Sequence, residues 1–150
     1  MKQYDQALAA AERAIALDPN DAESYVTLAG VLNFAGQPEK ALGLVEKAIL
    51  LNPQNQGWLG WTYQLLGRYE KALAPLQQVI VHAPNHPGLH VLLAISYSEL
   101  GRQEEARAEA AALLRLNPHY SVEVDRQRLP YKDPAVLERV LAALRQAGLQ

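Results

Sequence analysis

Four prolines frame this 150-residue chain: Pro19, Pro53, Pro84 and Pro118, at spacings of 34, 31 and 34 residues. Twelve residues before each stands an alanine, Ala7, Ala41, Ala72 and Ala106. Thirteen residues before the last three alanines stand Leu28, Leu59 and Leu93, each followed by a small residue, Ala29, Gly60 or Ala94. Self-similarity at such a period is the signature of stacked repeats, in which each unit buries its apolar face on a neighbour.

One unit shows how the period arises. Tyr25, Leu28, Ala29 and Leu32 fall at i, i+3, i+4 and i+7, one face of a helix spanning Asp21 to Ala35. Gly36 ends that helix, because glycine takes positive φ without strain. Pro38 opens the next in its first turn, where the missing N–H removes no bond. Ala41, Leu44, Val45 and Ala48 form a second stripe, and the small Ala29 and Ala41 let the two helices approach closely. An Asn-Pro or similar step then turns the chain.

The pattern resembles the tetratricopeptide repeat, a helix–turn–helix unit of about 34 residues. The matching residues are Tyr25, Leu28, Ala29, Leu32, Ala41, Val45 and Pro53, then Leu59, Gly60, Tyr63, Ala72, Leu76 and Pro84, then Leu93, Ala94, Tyr97, Ala106, Ala110 and Pro118. The resemblance implies an all-α solenoid with a right-handed superhelix. A half-repeat would occupy 1–20, repeats about 21–54, 55–85 and 86–119, and a non-repeat tail 119–150. The chain opens on a second helix without its first, so a longer parent protein or a second copy is expected to cover that edge. From Pro53 to Leu59 is six residues, whereas Pro19 to Leu28 and Pro84 to Leu93 are nine, so either the third unit's first helix loses nearly a turn or a few residues between Pro53 and Leu59 are absent from the recorded sequence.

In the tail, Ser121 can cap a short helix, and "LPYKDP" breaks it before Asp133 and Pro134 start another. Leu137, Val140, Leu141 and Leu144 share one face of this final helix, which should run to Ala147 and cap the last repeat. The string "RLPYKDPAVLERVLAALRQAGL" also resembles the C-terminal end of bacterial tetratricopeptide proteins linked to class III adenylate/guanylate cyclases. That resemblance implies a regulatory or oligomerisation module of a signalling enzyme as the alternative function. No cyclase catalytic segment is present in the sequence.

Composition excludes several classes. Net charge is −2 and the 14 Lys and Arg are scattered, which gives no patch for a phosphate backbone. Cysteine is absent, so disulfides and thiolate chemistry are out. The opening segment carries charges where a signal peptide needs an apolar run. The uncharged stretches Ala48–Gly67 and Ala72–Ser98 are interrupted by "NPQNQ" and "HAPNHP", which would place polar groups in lipid. A cytoplasmic protein without nucleic-acid or membrane partners is expected. His82, His86 and His90 fall four apart, but Pro84 and Pro87 interrupt the helix that paired ligands would need. His90 holds the place of Tyr25 and should pack between helices, while Glu104 and Glu105 suit a helix start. No phosphate loop and no nucleophile–base pair is present, so neither enzyme activity nor a cofactor or metal is expected.

The resemblance implies that first helices line a concave groove which binds peptides. The residues opposite the packing stripe are Val26, Gly30, Asn33 and Phe34 in the second unit, with Glu23 beside them. In the third they are Trp61, Gln64 and Leu65, with Trp58 close by, and in the fourth Val91, Ile95 and Ser98, with Glu99 alongside. Chaperone-binding family members grip a carboxylate with cations here. The comparable places hold Val26, Gly30, Gly88 and Leu92, so an apolar peptide or helix is the expected ligand. The bland alternative is that Phe34, Trp58 and Trp61 are core, or are covered by a partner subunit.

Overall fold

The structure, a computed structural model, describes residues 2–150, and Met1 lies outside the described residues. It contains α1 (Lys2–Leu17), α2 (Ala22–Phe34), α3 (Pro38–Leu51), a 3-10 turn (Pro53–Asn55), α4 (Gln56–Leu65), α5 (Tyr69–Ile80), α6 (Pro87–Glu99), α7 (Gln103–Leu116), α8 (Val122–Arg128) and α9 (Pro134–Gln146). Helices pair as α2 with α3, α4 with α5 and α6 with α7, and each pair stacks on the next. This is the helical solenoid expected from the period, with α1 as the half-unit packed on α2.

The turns recur because the same hydrogen bonds close each one. Gly36, Gly67 and Gly101 hold φ of 83°, 75° and 74°, which lets the next N–H reach back to the last turn of the helix. Gln37 N–H bonds Leu32 O at 2.8 Å, Arg68 N–H bonds Tyr63 O at 2.9 Å, and Arg102 N–H bonds Tyr97 O at 2.9 Å. Those bonds satisfy carbonyls that the end of a helix would otherwise leave bare.

Size complementarity holds each pair together. Gly60 faces Leu76, whose Cγ would lie 2.5 Å from a Cβ on residue 60. At the same repeat positions stand Ala29 with Val45 and Ala94 with Ala110, all buried. The bulkiest partner thus sits opposite the smallest residue.

Consecutive first helices are keyed by polar rungs. Asn33 Nδ2 donates to Thr62 Oγ1 at 3.0 Å, and one unit later Gln64 Nε2 donates to Ser96 Oγ at 2.9 Å and Leu92 O at 2.8 Å. Thr62 and Ser96 are fully buried. Ser98 takes the corresponding place in α6, and its Oγ has no partner because no further first helix follows.

The three missing residues are taken from the start of α4. This helix has 10 residues against 13 in α2 and α6, and the 3-10 turn leads straight into it. In the neighbouring units a side chain ties this turn. Tyr25 Oη donates to Pro19 O at 2.9 Å, and His90 Nε2 meets Pro84 O at 2.6 Å while its Nδ1 meets Glu109 Oε2 at 2.7 Å. His90 is buried between helices as expected, and His82 and His86 are exposed. The equivalent residue in the third unit, Gln56, lies too close to Pro53 for such a tie, and Asn52 accepts from Gln54 N–H at 3.1 Å instead.

The tail differs from a simple cap. Its two helices form a hairpin closed by Val122 N–H bonding Gln150 O at 2.9 Å and by an Arg126–Glu138 ion pair. Ser121 and Asp133 cap α8 and α9 as expected, accepting from Val124 N–H and Ala135 N–H. The apolar stripe of α9 is covered by the last repeat, where the helix rests on α6, and Leu141 and Leu144 are fully buried. The hairpin tip, residues 129–133, reaches past that repeat to α2 and α1. Lys132 N–H bonds Phe34 O at 2.8 Å, and Tyr4 Oη donates to Pro130 O.

Candidate functional site

Between α4, α6 and the hairpin lies a cavity of about 710 Å³. Phe34, Trp58, Trp61, Val91 and Leu92 line its apolar side, and Leu129 and Tyr131 of the tip close it. The shortened α4 shapes one end, where Gln54 and Gly57 face Pro87 and Gly88.

The aromatic wall is built by spacing. Trp58 and Trp61, three apart on α4, share a face, and their rings lie 5.7 Å apart. Phe34, at the end of α2, meets Trp61 edge-on at 4.8 Å and Tyr131 at 4.9 Å. Trp61 Nε1–H donates to Tyr131 Oη at 3.0 Å, which satisfies the indole within an apolar setting. Burial pushes the Tyr131 phenol up to about 12, because phenolate is poorly solvated there, and the bond from Trp61 pulls weakly the other way. An unfolded tyrosine ionises near 10. Tyr131 therefore contributes stability that is intact below about pH 10 and is lost as pH rises toward 12. In an alkaline titration followed by tyrosinate absorbance, Tyr131→Phe should remove the step near pH 12 and flatten the loss of stability between pH 10 and 12.

The opposite end of the cavity is polar. Asp125, 4% exposed, accepts from Tyr120 Oη and from Arg128 Nη2, the latter at 3.0 Å. Burial and the bond to Asp125 raise the Tyr120 phenol well above its usual range.

The expected groove residues fall in three places. Phe34, Trp58, Trp61, Gln64, Val91 and Ile95 line the cavity. Val26, Gly30 and Asn33 are buried between helices instead, because the next helix stacks over them, and Ser98 is buried in α6. A Cβ on Gly30 would lie 3.2 Å from the Trp58 ring, and Asn33 is engaged in its rung to Thr62. Leu65 and Ile95 lie on the seam where Val136, Arg139 and Val140 of α9 settle onto α4 and α6. Tyr69 lies on the same seam, where burial and the neighbouring Glu99 raise its phenol. Glu23 is exposed outside the cavity.

Spacing does not single out Tyr131, Leu129 and Tyr4, because they stand outside the recurring positions. One signal is present. Pro130 and Pro134 bracket an aromatic residue, a composition that makes an extended, side-chain-presenting loop. Gln64 carries a further feature: it is 3% exposed and its Oε1 has no hydrogen-bond partner. Among the described residues, no helix is long and apolar enough to cross a membrane.

Known proteins show the same architecture. A 26% identity over 120 residues relates the chain to the general transcriptional corepressor trfA of Dictyostelium discoideum, covering 77% of this chain and 9% of that protein. The chain spans about a tenth of the length of the curated relatives it matches. Among solved structures, the thermophilic TPR protein TTC0263 of Thermus thermophilus superimposes with a TM-score of 0.69 at 26% identity, over 96% of this chain and 74% of that one. MamA from Desulfovibrio magneticus shares the fold alone, with a TM-score of 0.68 at 18% identity over 96% and 86% of the two chains. The tetratricopeptide repeat profile matches residues 1–60 and 64–124. With the period, the paired helices and the glycine-closed turns all in agreement, the chain belongs to the tetratricopeptide repeat family.

Proposed function

We propose that this chain is a non-catalytic interaction module whose concave groove binds an apolar segment of a partner protein. The observation that carries the reading is the cavity of about 710 Å³, walled by Phe34, Trp58, Trp61, Val91 and Leu92. Its size and its mainly apolar wall match the general character of ligand sites. An extended segment suits the present space, whereas a helix about 10 Å across needs the hairpin tip moved aside.

A role beside a nucleotide cyclase has less support. The tail residues that carry that resemblance are already employed in the fold: Tyr131 on Trp61, Asp133 as a cap, Leu141 and Leu144 buried where α9 rests on α6. Self-association through α1 is likewise the weaker reading, since Ala11 is buried there and Leu8 and Ile15 are half-buried.

The test is peptide selection from a displayed library on the full chain, followed by titration of a selected peptide. Val91→Glu puts a charge on the apolar wall and should weaken binding by about 1–3 kcal/mol, roughly fivefold to 150-fold. Helix content measured by circular dichroism should be unchanged. Equal binding by wild type and Val91→Glu would place the site elsewhere.

A further inference from the structure

The groove already holds one segment of this chain. Leu129 and Asp133 both precede prolines, and both are extended, at φ −76°, ψ 119° and φ −92°, ψ 114°. A residue before proline is biased to this region, so the stretch between them is held open before it meets the groove. Its contacts are those of a bound peptide. One backbone N–H, from Lys132, takes the helix-end carbonyl of Phe34, and one backbone carbonyl, of Pro130, accepts from Tyr4. One side chain, Tyr131, packs edge-on against Phe34 and takes the indole N–H of Trp61.

The tip is separable from the hairpin that bears it. Hairpin closure rests on Val122 with Gln150 and on Arg126 with Glu138, and the hairpin is held to the last repeat by the buried Leu141 and Leu144, none of which lies in the tip. The tip also fills only part of the groove. Beyond Tyr131 the cavity continues along Trp58 to Gly88 and Leu89, and Gln64, whose Oε1 is unpartnered, lies in its wall.

We infer that residues 129–133 are a built-in ligand of the groove, and that the groove takes in trans an extended partner segment of the same chemistry, an apolar residue, a proline and a tyrosine in succession, which displaces the tip. This rests on the groove being a binding site. Because the tip is tethered, it competes at an effective concentration in the millimolar range, and a partner gains access only as far as it outcompetes that occupancy. A longer segment does so by extending into the unfilled cavity.

The experiment titrates a fluorescein-labelled peptide of sequence RLPYKDP into the full chain and two variants. Tyr131→Ala removes the ring that packs on Phe34 and Trp61, and Lys132→Pro removes the N–H that bonds Phe34, so one variant serves if the other folds poorly. Either variant, with wild-type helix content, should bind the peptide about tenfold tighter than wild type. The same peptide with alanine in place of its tyrosine should lose that gain. Equal affinity across the three chains, or no binding to any, overturns the inference. The library-selected peptide is titrated in parallel. If its binding still depends on Val91, the groove reading stands while the built-in ligand falls; if it does not, both fall.

Discussion

Leu76→Ala should destabilise the protein by about 3 kcal/mol, and adding Gly60→Ala should recover part of that loss, although Gly60→Ala alone is destabilising. The first effect follows from burial: Leu76 is 0% exposed, and removing a fully packed leucine loses transfer energy and leaves a cavity. For a domain of this size, 1 kcal/mol moves Tm by roughly 2–4 °C, so the single variant should melt roughly 6–12 °C lower. The sign reversal is the sharper test. In the wild type a methyl on residue 60 would stand 2.5 Å from Leu76 Cγ, an overlap that about 1 kcal/mol of helix propensity does not offset. With Leu76 truncated the same methyl occupies vacated space, and the pair becomes alanine on alanine, as at Ala94 and Ala110. Thermal or urea denaturation of the four chains measures the coupling. Additive effects would mean that residues 60 and 76 do not share one packing site.

The second large effect concerns the polar rungs. Thr62→Val preserves shape but removes the acceptor of Asn33 Nδ2, and Asn33 Oδ1 already lacks a partner. An amide 2% exposed would then have no hydrogen bond from its side chain, a loss of about 1–3 kcal/mol. The companion change Asn33→Leu with Thr62→Val, apolar on both sides, should cost less than Thr62→Val alone. That ordering, read from urea midpoints at constant m, separates an unmet hydrogen bond from lost packing. The converse ordering would assign the rung no role in joining the units.

How far the sequence reaches depends on whether a residue belongs to the period. The recurring prolines, the glycines at the turns and the leucine–small pairs locate α2 to α7 closely, because each unit repeats one local solution. The shortened α4 is legible as a count, but its 3-10 lead-in is not, since that depends on how Asn52 refolds the turn. The groove is half legible. Opposite-face spacing finds Phe34, Trp58, Trp61 and Val91, which line the cavity. It also chooses Val26, Gly30, Asn33 and Ser98, because spacing along one helix does not say how closely the next helix stacks. Tyr131 lies beyond its reach. The partner Trp61 is 70 residues away, and no local rule reports where a tail hairpin comes to rest.

The most direct test of the groove uses the chain's two tryptophans, both in its wall. Two indole N–H resonances should be resolved in a nitrogen–proton correlation spectrum of the labelled full chain. On titration with a library-selected peptide, both should shift in a saturable way, and the Trp61 signal should move further if Tyr131 is displaced from it. A peptide that binds while leaving both indoles in place, and instead perturbs amides of the second helices α3, α5 and α7, would contradict binding in the groove.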